Sequence, residues 1–376
     1  NDGQVIADAY AILANAIAED AYFPVQYVNE YKEITTIDYK DYLNEHDLTA
    51  VADALEELSA STILGEVLVV LYGKAQDSMP AELFYLVGAD LSKAELLEDY
   101  ASVVEALREA IAAEAYTYVT EEDVEFAGKN EYVKNILDIV LHTNLVSYDY
   151  SAYAKGSLAL VGIEASQADL QTVDYEHDFT ILYNVVDSVF EILENSDIVS
   201  YAELVDVIKS IDVNNVLLDE TLVNNANVLV ACDIVDEVVG MDLVKVLWKP
   251  VYNKYVGTVE KVFPEIAEFD INLYAYEDLV HDVKLLTDIV RNAIEFNALF
   301  KYQYDELIDW ADTTPIENII EDIFKLNALA IYDEQIVEII SDKFNIDLSD
   351  VDLNEVDWVN DGQVIADAYA ILANAI

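Results

Sequence analysis

Positive charge is the scarcest property of this chain. Lys and Arg number 18 against 75 Asp and Glu, a formal net charge of −57 over 376 residues. A nucleic-acid surface needs clustered Lys and Arg, so nucleic acid is not an expected partner. Anionic membrane surfaces are disfavoured for the same reason. Cysteine occurs once, as Cys232 in the apolar stretch 227–235, where it reads as a small core hydrophobe. A single cysteine leaves no intrachain disulfide framework. Ten Gly and five Pro leave few turns, so long elements are expected. No apolar run approaches the ~18 residues of a membrane helix, so membrane insertion is not expected. Val67–Tyr72 and Leu158–Ile163 read as core segments instead. G-x-S-x-G, H-E-x-x-H, the P-loop and G-x-G-x-x-G are all missing.

What is present begins with apolar residues at 54%, enough for a sizeable core and too many for a disordered chain. The sequence also repeats itself. Residues 1–17 read NDGQVIADAYAILANAI, and residues 360–376 read the same, letter for letter, at an offset of 359. This predicts one complete tandem period, 1–359, made of several helical modules, with 360–376 as the start of the next. The chain opens on Asn1 rather than Met and stops at Ile376 inside an amphipathic pattern, and both ends read as cuts in something longer. A weaker pattern lies inside the period: apolar, two spacers, apolar, Asp, then Tyr or Leu. It occurs as Ile34–Tyr39 with Asp38, Leu145–Tyr150 with Asp149, Leu170–Tyr175 with Asp174 and Leu348–Leu353 with Asp352, with a degenerate copy at Ile271–Tyr276. Asp309-Trp310 and Asp357-Trp358 form another spaced pair, 48 residues apart. The irregular spacing predicts diverged helical modules rather than a strict short repeat.

Helix signals are strong. Leu182, Val186, Val189 and Leu193, and again Leu279, Val283, Leu286 and Val290, fall at i, i+4, i+7 and i+11. Ser92-x-x-Glu95 reads as a capping box before a run to about Ala115. Thr314-Pro315-Ile316-Glu317 reads as a second start, with Thr314 as the cap. The expected fold is all-α: an elongated array of helical modules, with minor short strands allowed by the abundance of Val and Ile.

Chemistry-bearing constellations are thin. His46, His142, His177 and His281 share no ligand spacing. Glu56-Glu57, Glu121-Glu122-Asp123 and Glu321-Asp322 are the adjacent acids that such a composition produces anyway, although two carboxylates are what glycoside hydrolysis uses. Asp350, Asp352, Asn354 and Asp361 stand at positions 1, 3, 5 and 12 of an EF-hand-like loop. Position 6, which should be Gly, is Glu355, so the sharp turn is missing and loose calcium or magnesium screening of the acidic surface is the favoured reading. No cofactor is expected. Tyr numbers 26, and Tyr148, Tyr150 and Tyr153 form a local cluster suited to helix edges or to a contact surface.

The long identical period, the acid excess, the near-absence of cysteine and the Asp-Trp and Asp-Tyr module starts together resemble large tandem-repeat surface proteins of bacteria. That resemblance is architectural. It implies a secreted, cell-attached or fibre-forming protein and carries no catalytic residue with it. The expectation is therefore a non-enzymatic structural repeat unit of a fibre, filament, surface coat or adhesin stalk, extracellular or at the cell surface. Its expected partners are copies of itself and a host or matrix surface. A glycan- or ligand-binding module of an adhesin is the alternative, and a carboxylate-pair hydrolase the third reading.

Overall fold

The computed structural model describes residues 2–20, 44–78, 90–210, 224–259, 261, 269–295, 313–344 and 352–373. Among them the secondary structure is helical, with no strand. In chain order the helices are α1 (Asp2–Asp20), α2 (Glu45–Ser59), α3 (Thr62–Ser78), α4 (Lys93–Ala112), α5 (Thr117–Thr120), α6 (Lys129–Leu141), α7 (Asn144–Ser147), α8 (Tyr150–Leu160) and α9 (Gln167–Leu170). There follow α10 (Tyr175–Asn195), α11 (Tyr201–Ser210), α12 (Asn225–Val238), α13 (Asp242–Val259), α14 (Tyr276–Glu295), α15 (Thr314–Phe324), α16 (Asn327–Ile331), α17 (Asp333–Phe344) and α18 (Trp358–Ala373). Val and Ile thus sit in helices, their β preference overridden by packing.

The chain divides into two compact units. The first is Asn1–Gly162 with Ser196–Leu218, and the second is Ile163–Asn195 with Asp219–Ile376. In the first, α1 packs on α2, α2 on α4, and α4 on both α3 and α6. Small residues let these axes approach, and Ala9, Ala50, Ala52 and Ala54 are all buried beside Val104 and Ile111. In the second, α10 packs on α12, α12 on α14, α14 on α15, and α15 on α18. Its core holds Leu170, Phe190, Leu193, Val230, Ile294 and Cys232, whose thiol is pushed up by burial.

Local sequence explains where elements start. Ser92 caps α4 in a capping box, its hydroxyl accepting from the Glu95 N–H while Glu95 accepts from the Ser92 N–H at 2.6 Å. Asp149 caps α8, Asp270 caps the 3-10 turn Ile271–Leu273, and Asp174 and Asp357 accept from His177 and Asn360 at the starts of α10 and α18. Of the weak internal pattern, Asp149 and Asp174 are thus helix N-caps, a role any helix start can recruit, which fits the irregular spacing. Asp38 and Asp309-Trp310 lie outside the described residues.

Three expectations are corrected. The cap of α15 is Thr313, one residue before the expected Thr314, and its hydroxyl bonds Glu317. Val189 and Leu286 are exposed, each standing at one edge of its stripe at 100° per residue. The runs Val67–Tyr72 and Leu158–Ile163 are not core. Val67, Val69, Val70, Leu71, Leu160 and Val161 are all exposed, since an apolar run longer than one helical face cannot be wholly covered by neighbours on one side.

Candidate functional site

The arrangement that recurs through the molecule is a carboxylate on one helix that receives the first free N–H groups of another. Asp2 of α1 accepts from the Thr62 N–H at 2.9 Å and the Thr62 hydroxyl at 2.7 Å. Asp99 of α4 accepts from Asn144 N–H at 2.6 Å and Leu145 N–H at 3.0 Å. Asp178 of α10 takes Asp242 N–H at 2.7 Å and Leu243 N–H at 2.8 Å. Asp282 of α14 takes Asn327 N–H at 2.6 Å and Ala328 N–H at 2.8 Å. The first four N–H groups of a helix have no partner within it, and its N-terminus carries positive partial charge. A carboxylate satisfies both needs, so each Asp fixes one helix against the start of another.

The four differ in depth. Asp178 and Asp282 are 2% and 3% exposed, whereas Asp99 is half-buried. Asp282 also receives the hydroxyl of buried Tyr274, whose phenol is driven well above its ordinary range by burial and by that carboxylate. Burial raises the Asp178 carboxyl, and its two backbone N–H partners offset this only in part. The Asp2 carboxyl is lowered, chiefly by the Thr62 hydroxyl and N–H.

The chain has two arginines, Arg108 and Arg291, and they occupy equivalent places. Arg108 of α4 reaches Asp53 and Glu56 of α2 at 2.7 and 2.5 Å. Arg291 of α14 reaches Asp233 and Asp236 of α12, both at 2.7 Å, and Asp288 on its own helix at 3.0 Å. Both guanidiniums are held above their ordinary value by these carboxylates. Asn135 donates to Glu109 at 3.0 Å, and Asn318 to Asn292 at 3.1 Å. Asp99 and Asp282, Arg108 and Arg291, Asn135 and Asn318, and Asn144 and Asn327 are each 183 positions apart. The two units therefore repeat one plan at about half of the 359-residue period. Asp178 and Asp361 are also 183 apart, and Asp361 occupies the place of Asp2 in the second copy of the 17-residue segment. This plan escaped the sequence reading, although Asp-x8-Arg-x-Ala-Ile occurs at both Asp99 and Asp282.

Tyrosine serves the opposite helix ends. The hydroxyls of Tyr100, Tyr150, Tyr175, Tyr201 and Tyr276 donate to the backbone carbonyls of Leu55, Leu141, Leu170, Ala113 and Val239. Those carbonyls lie at the last residue or C-cap of α6, α9, α4 and α12, and, for Leu55, just before the last turn of α2. Cations usually favour such positions, and a chain with so few uses phenols. Burial raises the phenols of Tyr100, Tyr201 and Tyr276, that of Tyr276 up to about 12. Of the expected tyrosine cluster, Tyr150 is thus a clasp, while Tyr148 and Tyr153 are exposed.

The other singled-out residues are dispersed. His142 sits at the end of α6 against the Asp138 carbonyl at 2.8 Å, His177 is exposed on α10, His281 reaches the Lys325 carbonyl at 3.3 Å, and His46 lies in α2. Glu56 pairs with Arg108, and Glu321 and Asp322 with Lys325 at 3.1 and 3.3 Å. Of the EF-hand-like set, Asp350 lies outside the described residues. Asp352 is exposed before a 3-10 turn that contains Asn354, and Asp361 is exposed on the first turn of α18. Among the described residues no three His, Cys, Asp or Glu side chains converge as a metal site, and no helix is long and apolar enough to cross a membrane. An open apolar hollow of about 350 Å³ on the first unit is lined by Leu68, Leu71, Tyr72, Tyr100, Val103 and Leu145. No family model, curated protein or solved structure matches the chain.

Proposed function

We propose that the 359-residue period is a structural repeat unit of a long acidic protein at the cell surface or outside the cell, in a fibre, surface coat or adhesin stalk. The observation that carries this is the recurrence of sequence and plan at two scales. Seventeen residues return unchanged after 359, and the Asp, Arg and Asn contacts return after 183. The polar groups that stand out are engaged in joining helices, which is the work of a scaffold. Composition agrees with exposure to a hostile exterior. With 18 Lys and Arg, trypsin-like proteases meet few cleavage points. The acid excess repels neighbouring chains, and loosely held calcium or magnesium screens it. No catalytic step belongs to this reading.

The apolar hollow beside α3 and α4 favours a second reading, a module that binds a ligand or glycan on a host or matrix surface. Antibodies raised against the chain test the first. On intact cells they should label the surface, protease shaving should remove the signal, and the native polypeptide should be several periods long. A single-period polypeptide found only after lysis would refute it.

A further inference from the structure

The two copies of the 17-residue segment fold alike and bury different faces. In α1, which packs on α2, Ala9 is buried, and Asp2, Val5, Asp8, Ile12 and Leu13 are half-buried. Gly3, Ala7, Tyr10 and Ala11 of the same helix are exposed, Tyr10 by 73%. In α18, which packs on α15, the pattern inverts. Gly362 and Ala366, the counterparts of Gly3 and Ala7, are buried, and Tyr369 and Ala370 are half-buried. Val364, Ala368, Ile371 and Leu372 are exposed, Ile371 by 71% and Leu372 by 64%. At 3.6 residues per turn the two buried sets are centred about 165° apart, on nearly opposite sides of one helix.

We propose that this helix is a two-sided joint that takes a second copy of the same period: α15 of one copy seats its Gly3/Gly362 face, and α2 of the next copy seats its Ala9/Ala368 face. The occupant of each open face is fixed, because this chain already shows both seats filled by this sequence. The glycine supports the pairing. A Cβ at Gly362 would lie 2.4 Å from Cβ of Phe324 on α15, so only glycine allows that approach. In α1 the same glycine faces outward and has no local purpose there. Asp361 supplies a second, independent support. It is exposed here, and it is next in the series Asp2, Asp99, Asp178, Asp282. In the joint it takes the Thr62 N–H and hydroxyl of the next copy, as Asp2 does within this chain. The inference rests on the repeat-unit reading and names its partner: another copy, added head to tail, a heterologous contact that propagates rather than closes.

The full chain allows a test. Gly362→Leu with Ala366→Leu unseats α18 and opens α15, leaving α1 intact to bind the α15 of another molecule. This variant should form concentration-dependent chains in sedimentation velocity, while wild type stays monomeric. Adding Gly3→Leu and Ala7→Leu, at positions exposed in the monomer, should return it to monomers. That quadruple variant mixed with wild type should give 1:1 complexes and nothing larger, since wild type offers an open α1 face and a filled α15. If the unseated variant unfolds the second unit, the milder Ala366→Leu, with Ala7→Leu as its block, is read in the same way. Monomers from the unseated variant, or equal association with the block in place, would overturn the joint. Either result leaves the surface-labelling outcome untouched, so the two failures are distinguishable.

Discussion

Replacing Asp282 by Ala removes the acceptor for three donors at once: the N–H groups of Asn327 and Ala328 and the hydroxyl of Tyr274. The site is 3% exposed, so water cannot take the carboxylate's place. A buried donor left without a partner costs about 1–3 kcal/mol, and relief of the buried charge returns part of the sum, for a net loss of about 3–5 kcal/mol. Asp282→Asn keeps one acceptor oxygen and turns an NH₂ toward the other N–H, for about half that loss. Asp99→Ala strands two donors at a half-buried site that water reaches, and should cost about 1–2 kcal/mol. Trp248, Trp310 and Trp358 all fall within the second unit, so tryptophan fluorescence in urea isolates the Asp282 effect. With an m-value of about 2 kcal/mol/M, Asp282→Ala should lower the midpoint by roughly 2 M. Hydrogen exchange at Asn327 and Ala328 should accelerate with it. A shift under about 0.5 M with those amides still protected, or a larger loss from Asp99→Ala, would refute the ranking by burial.

Arg291→Ala should destabilise by about 1–2 kcal/mol and Arg108→Ala by about 0.5–1, because the Arg291 and Asp236 side chains are 27% and 25% exposed against 37% and 46% for Arg108 and Asp53; urea melts of both variants check the order. The two units should answer acid oppositely. Asp2 and Glu95 of the first unit are lowered by their hydrogen bonds, so their contribution is present above the ordinary carboxylate range and is lost as pH falls through their folded values. Asp178 and Asp322 of the second unit are raised by burial, so theirs is present at low pH and fades as pH rises through their folded values. Between pH 7 and pH 4 the tryptophan-detected melt of the second unit should therefore gain on the circular-dichroism melt of the whole chain; parallel curves would contradict this. With −57 of net charge, raising NaCl from 10 to 150 mM shortens the Debye length from about 30 to about 8 Å and should raise both melting temperatures in calorimetry, while an unchanged profile would remove self-repulsion from the account.

The all-α class was legible because it is written locally. Amphipathic spacing over α10 and α14 and the box Ser92-x-x-Glu95 need no knowledge of the rest of the chain. The joints were not legible, because each unites an Asp with N–H groups 45 to 65 residues away, and any of 75 acids is a candidate. Rarity was the better guide. Two arginines, each nine residues after an Asp and two before Ala-Ile, mark equivalent helices in a way that abundant carboxylates cannot. The cap of α15 was misplaced by one residue because Thr313 and Thr314 are adjacent and chemically alike, and only the backbone separates them.

Phenols as helix-end donors give this protein an unusual chemical vulnerability. With one buried cysteine and two methionines, thiol and thioether oxidation have little to act on. Nitration is different. A nitro group beside the hydroxyl acidifies the phenol, and an ionised Tyr100 or Tyr276 no longer donates to Leu55 or Val239 but sets a negative charge against a carbonyl oxygen. In a chain with so few cations to compensate, reactive nitrogen species would loosen helix ends one clasp at a time.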